Sequence, residues 1–215
     1  MGRGSSSDQH DRHRVFGELS PGSIVVTTGA WCLAPRACFA IFSDVETIAI
    51  ETVGVASENE VRELATVLLD AVKGGASISF MSDLNFDEAV DWWRKTLSAS
   101  PSRAVVLVAR DEQGIVGTVQ LQPSWAPNQP HRADVAKLIV HPRARRRGIA
   151  RALMQEMERR ARDQQFTLLL LDTCKDSAAE RLYSSLGWMR VGEVPHFALN
   201  PDGTWCDTVF FYKQV

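Results

Sequence analysis

The sequence predicts one domain of mixed α+β class, a central mixed sheet of about seven strands flanked by about four helices. Three observations predict it. Apolar residues switch between strand and helix spacing in the order βααβββαβαββ, Ser-x-x-Glu capping boxes open two helical segments, and turn residues separate adjacent strands. The predicted elements are strands at 47–55, 104–109, 115–121, 132–140, 168–171, 188–194 and 208–213, and helices at 57–72, 85–97, 149–163 and 177–187.

Helix-capping and turn residues justify the boundaries of these elements. The capping boxes begin at Ser57 and Ser177, where a hydroxyl and a carboxylate satisfy free helix amides. The first helix ends at Gly74, because glycine tolerates the backbone of a helix C-terminus. Residues 111–114 and 200–203 have turn composition and join neighbouring strands.

Composition excludes several classes of protein. With 45% apolar and 23% charged residues, the chain is neither disordered nor fibrous. No apolar run approaches the roughly 20 residues that span a bilayer, so we expect no membrane contact. The four cysteines form no CxxC pair and no dense framework, which argues against a zinc module, a disulfide scaffold or any metal site, and favours a cytoplasmic location.

The N-terminal segment differs from the rest of the chain. Residues 1–45 are polar or irregular, without sustained helical or strand spacing, and we expect a weakly ordered extension before a domain at 46–215. The segment does not have the form of a signal peptide. A further hypothesis is that natural translation begins near Val45.

Positive charge is concentrated in one stretch. The chain has a formal net charge of −2, too near neutral for its whole surface to attract nucleic acid, yet eight arginines and only two glutamates lie between His141 and Arg162. There an apolar strand ends, a loop follows, and a helix starts near Ile149. Backbone amides at such a helix start, with glycine and arginines beside them, favour a compact anion. A solvated basic helix and a nucleic-acid patch are the alternatives.

Two segments of the sequence resemble one family. Arg145-Arg-Arg-Gly-Ile-Ala150 is similar to the R/Q-x-x-G-x-G/A signature of the GNAT superfamily of acetyl-CoA-dependent N-acetyltransferases. Residues 176–188 resemble a second segment of that family, with Ala179, Tyr183 and Gly187 in register; Asp176 and Trp188 replace its usual Asn and Phe. More specifically, residues 73–84, 132–138, 171–173, 190–195 and 200–203 resemble the tabtoxin-resistance acetyltransferase, which implies a small-molecule acceptor.

The resemblance implies a GNAT fold with acetyl-CoA in the gap between two splayed parallel strands, 132–140 and 168–171. It assigns the diphosphate to the backbone from Arg145 to Ala150 and the pantetheine arm to the strand just before it. The implied cofactor-binding residues are Leu138, Ile139, Val140, Arg145, Arg146, Arg147, Gly148, Ile149, Ala150 and Ser177.

The resemblance also suggests the chemistry. A protonated amine must lose a proton before it attacks a thioester, and Asp134 and Asp172 match acidic positions of the tabtoxin-resistance enzyme. Tyr183 is the implied acid for the departing thiolate. For the three residues the alternatives are a strand-edge ion pair, a turn residue and a core tyrosine, respectively. Met81, on a lid after Gly75, and Trp93 are the candidate substrate contacts, with core packing as the alternative.

The sequence therefore predicts an N-acetyltransferase that moves acetyl from acetyl-CoA to a primary amine of a small molecule by direct attack. We expect no metal and no nucleic-acid partner, and a monomer or homodimer. Three alternatives remain: a catalytically inactive acyl-CoA-binding regulatory module, an enzyme that acetylates protein amino groups, and a nucleic-acid binder that uses the arginines.

Overall fold

A computed structural model describes residues 24–26, 48–99 and 102–215. Its strands are β1 (Ile24–Val26), β2 (Ile48–Thr52), β3 (Val105–Asp111), β4 (Gly114–Pro123), β5 (Arg132–Val140), β6 (Leu168–Cys174), β7 (Met189–Leu199) and β8 (Trp205–Gln214). Its helices are α1 (Glu58–Lys73), α2 (Phe86–Ser98), α3 (Ile149–Asp163) and α4 (Ala178–Ser185). The predicted α+β class and the order of elements from β2 onward are confirmed.

The strands form one mixed sheet in the order β1-β2-β3-β4-β5-β6-β8-β7. Every neighbouring pair is antiparallel except β5 and β6, which are parallel. The short strand β1, which the sequence analysis did not predict, pairs with β2. Apart from Ile24–Val26, the expected weakly ordered extension lies outside the described residues, so that expectation remains a prediction.

Two hydrophobic layers cover the two faces of the sheet. Helices α1 and α2 pack on one face around Leu64, Leu68 and Trp93, and we call this the α1/α2 face. Helix α3 and Tyr183 of α4 pack on the opposite face with Leu153 and Met157. Because side chains alternate along a strand, each strand contributes to both layers. No helix in the described ranges is long and apolar enough to cross a membrane.

Helix caps follow the sequence at three of four helices. The capping box at α1 is confirmed, since Ser57 Oγ accepts from Glu60 N at 3.3 Å and the Glu60 carboxylate accepts from Ser57 N at 2.9 Å. Asn85 caps α2 in the same way. At α4 only half of the predicted box forms, because the Glu180 carboxylate accepts from Asp176 N instead of Ser177 N.

Two of the four cysteines form one pair, which is not the dense framework that the sequence argued against. Cys174, at the end of β6, and Cys206, near the start of β8, are joined by a disulfide. The two strands are antiparallel neighbours, with Cys174 opposite Thr208, so the pair is close in space although 32 positions apart in sequence. Spacing alone gave no signal, because strand pairing and not sequence proximity brings the two thiols together.

Candidate active site

The turn between β5 and α3 carries an uncapped helix N-terminus. Helix α3 begins at Ile149, and its cap residue Gly148 has a φ of 78°. No side chain among the described residues caps this helix, whereas Ser57, Asn85 and Ser177 cap the other three. The first amides of α3 therefore point outward without a partner of their own helix, which is the donor arrangement that binds diphosphate.

The local sequence explains the shape of this turn. His141 follows the last residue of β5 and fixes the chain after it, because its Nδ1 accepts from Arg143 N at 3.2 Å while its Nε2 lies 3.0 Å from Asp70 Oδ2 of α1. A single 3₁₀ turn over Pro142–Ala144 then leads to Arg146, whose φ is 62°. A Cβ at Gly148 would meet no atom within 4 Å, so the need for glycine comes from its positive φ and not from close packing.

The arginines of the turn mostly shape the protein. Arg143 donates to both carboxylate oxygens of Asp111 at 2.6 and 3.1 Å, and Arg147 lies 3.9 Å from the same carboxylate. Arg145 Nε donates to Val140 O. Arg146 is exposed and forms no ion pair with any residue that the structure describes. It is therefore the arginine of this group most open to an anion.

The arginines further along α3 do not extend the positive patch. Arg159 and Arg160 both bind Glu156, at 2.6 and 2.7 Å, and Arg162 lies 3.7 Å from Glu158. Paired charges project little field into solvent, so the concentration of arginine in the sequence overstates the positive potential. What remains is a local anion site at the start of the helix.

Strands β5 and β6 separate beside this turn. Their ladder ends at Asp134 opposite Leu170, although β5 continues to Val140 and β6 to Cys174. Beyond that point β5 pairs only with β4 within residues 102–215. The edge of β5 that carries Leu138, Ile139 and Val140 therefore has no partner strand within residues 102–215, and the predicted contacts of these residues with the cofactor stay a prediction.

A bulge lies in the open part of β5. Gln120 of β4 pairs with Ala136 and Thr118 pairs with Ile139, so Lys137 and Leu138 together oppose the single residue Val119. Lys137 has a φ of 52°. A bulge redirects backbone groups away from the regular ladder. The redirected groups lie beside the gap, where the resemblance calls for an amide that polarises a thioester carbonyl.

Asp134 and Asp172 share the α1/α2 face where the strands part. Asp134 is held by Arg132 Nη2 at 2.9 Å. Asp172 follows the last paired residue of β6 by two positions, so it points to the same face. Burial raises the pKa of Asp172; nearby Lys137 opposes this rise and Asp134 adds to it. The raised pKa makes Asp172 a stronger base than an ordinary aspartate.

Tyr183 lies on the opposite side of β6. Its ring packs between Trp188 and Phe211, with ring centroids 6.1 Å from each, and the residue is 6% exposed. Burial, followed by the charge of Asp172, raises the pKa of the phenol well above its usual range. The phenol is therefore protonated at neutral pH and available to donate a hydrogen bond.

The connection between α1 and α2, residues 74–85, covers the gap, and we call it the lid loop. Ser77 Oγ donates to Leu199 O at 3.2 Å, and Ser82 N donates to Pro201 O at 3.0 Å. The loop therefore reaches from α1 to the tip of the β7–β8 hairpin. Met81, the predicted lid residue, lies within it and is 40% exposed.

Trp93 occupies a different environment from Met81. It is 0% exposed and belongs to the hydrophobic layer of α1 and α2, which places it in the core rather than on an open surface. Its neighbour Trp92 is half-buried, and its ring packs edge-on against Phe80 of the loop, with centroids 5.3 Å apart. Trp92 is thus the indole of this helix that meets the lid.

Ser177 serves first as a helix cap. Its Oγ accepts from Glu180 N at 3.1 Å and lies 3.3 Å from Thr173 Oγ1. The predicted contact between Ser177 and the cofactor stays a prediction.

Lys137 and Gln120 are residues of this site that sequence reasoning missed. Lys137 Nζ donates to Ile78 O and to Ser79 Oγ, both at 2.9 Å, and so ties the lid loop to β5. Burial lowers the pKa of Lys137, while Asp172 opposes this change. Gln120 is 2% exposed on the same face. A glutamine inside the apolar strand Gly114–Pro123 was the available signal; for Lys137 there was none.

Comparison with known proteins defines the class to which this fold and site correspond. The model of the acetyltransferase (GNAT) family matches residues 77–188, just over half of the chain. The chain belongs to this family.

Particular relatives support the assignment. The chain is 35% identical over 88 residues to human N-acetyltransferase 8 and 36% identical to human N-acetyltransferase 8B; each match covers 40% of this chain and 39% of the relative. A ribosomal-protein-alanine N-acetyltransferase from Brucella melitensis has a TM-score of 0.65 at 24% identity, over 77% of this chain and 99% of that one. A phosphinothricin acetyltransferase from Sinorhizobium meliloti, solved in complex with acetyl-CoA, has a TM-score of 0.66 at 18% identity, over 78% and 88%. The two structural matches show the fold.

Proposed function

We propose that the protein transfers an acetyl group from acetyl-CoA to a primary amine of a small molecule, by direct attack within a ternary complex. The observation that carries this proposal is the uncapped start of α3 beside the gap between β5 and β6. A set of amide donors that binds a diphosphate and an open strand edge are the two features that a nucleotide with a long, amide-containing arm requires.

The residues of the site fit acetyl-CoA. Amides from Arg145 to Ala150 would hold the diphosphate, with the exposed Arg146 as a charged partner. Backbone groups of Leu138 and Val140 would pair with the pantetheine arm as a further strand does. When bound, acetyl-CoA supplies the acetyl group as a thioester. A backbone amide near Ile139, beside the bulge, would stabilise the negative charge that develops on the carbonyl oxygen.

The acidic residues would prepare the amine. Asp172 would accept the amine proton as the new bond from nitrogen to the acetyl carbon forms, and Asp134 would help to attract the cationic acceptor. The raised pKa of Asp172 brings its proton affinity closer to that of the amine, which makes the transfer less uphill.

Tyr183 would act on the sulfur as its bond to the acetyl carbon breaks. A thiol has a usual pKa of about 8.5, far below that of this buried phenol, so full proton transfer from Tyr183 to the thiolate is unfavourable. The phenol would instead stabilise the departing thiolate by donating a hydrogen bond, and solvent would supply the proton afterwards.

The resemblance to the tabtoxin-resistance acetyltransferase favours a small acceptor over a protein. The lid loop agrees with this choice, because it is bonded to Lys137 of β5 on one side of the gap and to Leu199 and Pro201 of the β7–β8 hairpin on the other. A protein chain would need this gap to stay open along its whole length.

Two measurements test the proposal. Calorimetry should detect binding of acetyl-CoA to the purified protein, and a thiol-release assay should detect turnover with amines from a panel of amino acids, polyamines and amine antibiotics. Binding without turnover on any amine would support an inactive acyl-CoA-binding module instead. Turnover only with peptide or protein amines would move the acceptor class to protein, and DNA binding that survives excess CoA would favour the nucleic-acid alternative.

A further inference from the structure

Buried polar atoms without partners collect on one face of the sheet. In the described part of the chain, five buried side-chain nitrogen or oxygen atoms have no hydrogen-bond partner: Trp93 Nε1, Thr118 Oγ1, Gln120 Nε2, Arg132 Nε and Gln164 Oε1. An unsatisfied buried polar group is unfavourable, and native proteins contain few. Such a group is therefore a signal that a partner is missing.

Four of these five atoms lie on the α1/α2 face. Val119 and Leu121 of β4 pack in the layer of α3. Side chains alternate along a strand, so Thr118, which precedes Val119, and Gln120, which lies between the two, point to the α1/α2 face. Arg132 shares this face with its partner Asp134, two residues on. Trp93 belongs to the hydrophobic layer of that same face. The exception, Gln164, follows the end of α3.

The unpaired atoms are mainly donors. An indole nitrogen, an amide nitrogen and a guanidinium nitrogen can only donate a hydrogen bond, and a threonine hydroxyl can donate or accept. Gln120 is already oriented, because its Oε1 accepts from Gln122 Nε2 at 2.8 Å and leaves the NH₂ group as the free end. The missing partner must therefore present hydrogen-bond acceptor atoms.

Strand pairing places Gln120 beside the proposed acceptor site. Gln120 is opposite Ala136, and Gln122 is opposite Asp134, one of the two carboxylates of the site. The amine of an acceptor held at Asp134 and Asp172 would thus have the free NH₂ group of Gln120 on the neighbouring strand. An oxygen atom close to the amine in the same molecule would reach this donor.

We propose that the acceptor is an amine with a neutral carbonyl oxygen near the amino group, as in an amino-acid amide, and that Gln120 Nε2 binds this oxygen. This proposal rests on the proposed acetyltransferase function and names its substrate class. A carboxylate fits less well than a carbonyl. Asp134 and Asp172 would repel it, the charge of Arg132 is already engaged by Asp134, and the amide of Gln120 cannot compensate a buried charge.

The test compares three acceptors that share one branched amine: L-alaninamide, L-alanine and isopropylamine. For the wild type, kcat/KM should be highest with L-alaninamide. Gln120→Met keeps the length of the side chain and removes its donor, and we expect it to lower kcat/KM for L-alaninamide about tenfold more than for isopropylamine. The ratio between variant and wild type for each acceptor cancels intrinsic differences in amine reactivity.

Controls separate recognition from folding. Gln155→Met, on the exposed side of α3, should change none of the three rates. Thr118→Val removes a neighbouring unpaired hydroxyl, and we expect its melting temperature to be unchanged or raised while turnover of L-alaninamide falls. If Gln120→Met unfolds the protein, Thr118→Val and the wild-type preference carry the test.

Different failures identify different errors. Equal loss for all three acceptors in Gln120→Met, or a wild type that acetylates isopropylamine as well as L-alaninamide, would overturn the inferred acceptor class and leave the acetyltransferase function standing. Preference for L-alanine would assign the donors to a carboxylate and overturn the neutral carbonyl. Release of no thiol with any amine would overturn the proposed function, and the inference with it.

Discussion

Lys137 Nζ lies 2.9 Å from the carbonyl oxygen of Ile78, so a residue of the β5 bulge holds the loop that covers the gap between β5 and β6. The same ammonium stands above the rings of Phe80 and Trp92, at 5.5 and 5.7 Å from their centroids. Its positive charge also interacts with the negative charge of Asp172. One side chain thereby couples the lid, the bulge and the proposed base.

Replacement of Lys137 should alter both substrate binding and pH dependence. Lys137→Met removes the bonds to Ile78 and Ser79, so we expect the KM for the amine to rise several-fold. It also removes the positive charge that opposes the rise in the pKa of Asp172, so the acidic limb of the kcat/KM profile should move to higher pH. Steady-state kinetics across pH measures both effects. Lys95→Met, on the exposed surface of α2, is the control, and an unshifted acidic limb would contradict the coupling.

Asp172→Asn should stabilise the protein while it slows turnover. The pKa of Asp172 is higher in the folded protein than in the unfolded chain, so the folded state binds this proton more tightly. Its contribution to stability is lost as the pH rises through the folded pKa. The variant should therefore melt at a higher temperature than the wild type near pH 7, with little difference near pH 3, where the carboxyl is protonated in both states.

The matching kinetic expectation is a fall in kcat of about a hundredfold or more. Glu112→Gln, in the exposed turn between β3 and β4, should change neither property. A lower melting temperature for Asp172→Asn near neutral pH would mean that the carboxylate stabilises the fold, contrary to this account.

Tyr183→Phe should slow the chemistry and spare the fold. The ring keeps its contacts with Trp188 and Phe211, so the melting temperature should change little. The loss of a hydrogen bond to the departing sulfur predicts a fall in kcat of about ten- to a hundredfold, with the Kd for acetyl-CoA unchanged. Tyr212→Phe, the only other tyrosine in the chain, is the matched control. Equal kcat values for Tyr183→Phe and the wild type would make Tyr183 a core residue only.

Gly148→Ala should weaken binding of acetyl-CoA. At a φ of 78° an alanine is strained by about 1–2 kcal/mol, and relief of this strain would rotate the first amides of α3 away from the diphosphate. Calorimetry should show a Kd raised tenfold or more. Gly203→Ala introduces similar strain at a φ of 84° in the β7–β8 turn, and there the Kd for acetyl-CoA should stay as in the wild type. Equal weakening in both variants would point to general destabilisation.

The elements that the sequence predicted well are those whose signals are local. Apolar spacing located α3 at its observed bounds, Ile149–Asp163, and β5 at Arg132–Val140. The prediction for β7 stopped at Val194, whereas the strand continues to Leu199. Between Val194 and Ala198 the ladder is irregular around Pro195 and His196, and an interruption of alternation reads as the end of a strand.

The parts of the site that escaped prediction depend on contacts between distant segments. The role of Lys137 depends on Ile78, 59 positions away, and on a bulge that no glycine or proline marks. The disulfide depends on the pairing of β6 with β8. Residue type suggested Trp93 for the acceptor pocket. In the structure Trp93 lies in the core and Trp92 lies beside Phe80. Periodicity alone could not choose between adjacent tryptophans.

The two contacts between the lid loop and the β7–β8 hairpin have a consequence for the evolution of this protein. Ser82 N and Ser77 Oγ both bind carbonyl oxygens, those of Pro201 and Leu199, so these bonds do not depend on which side chains the hairpin carries. Substitutions at the hairpin tip can therefore leave the two hydrogen bonds between the hairpin and the lid loop intact. Insertions or deletions between β7 and β8 would change the distance that the lid loop bridges. The size of the acceptors that fit beneath the loop would then change more readily through them than through point substitutions.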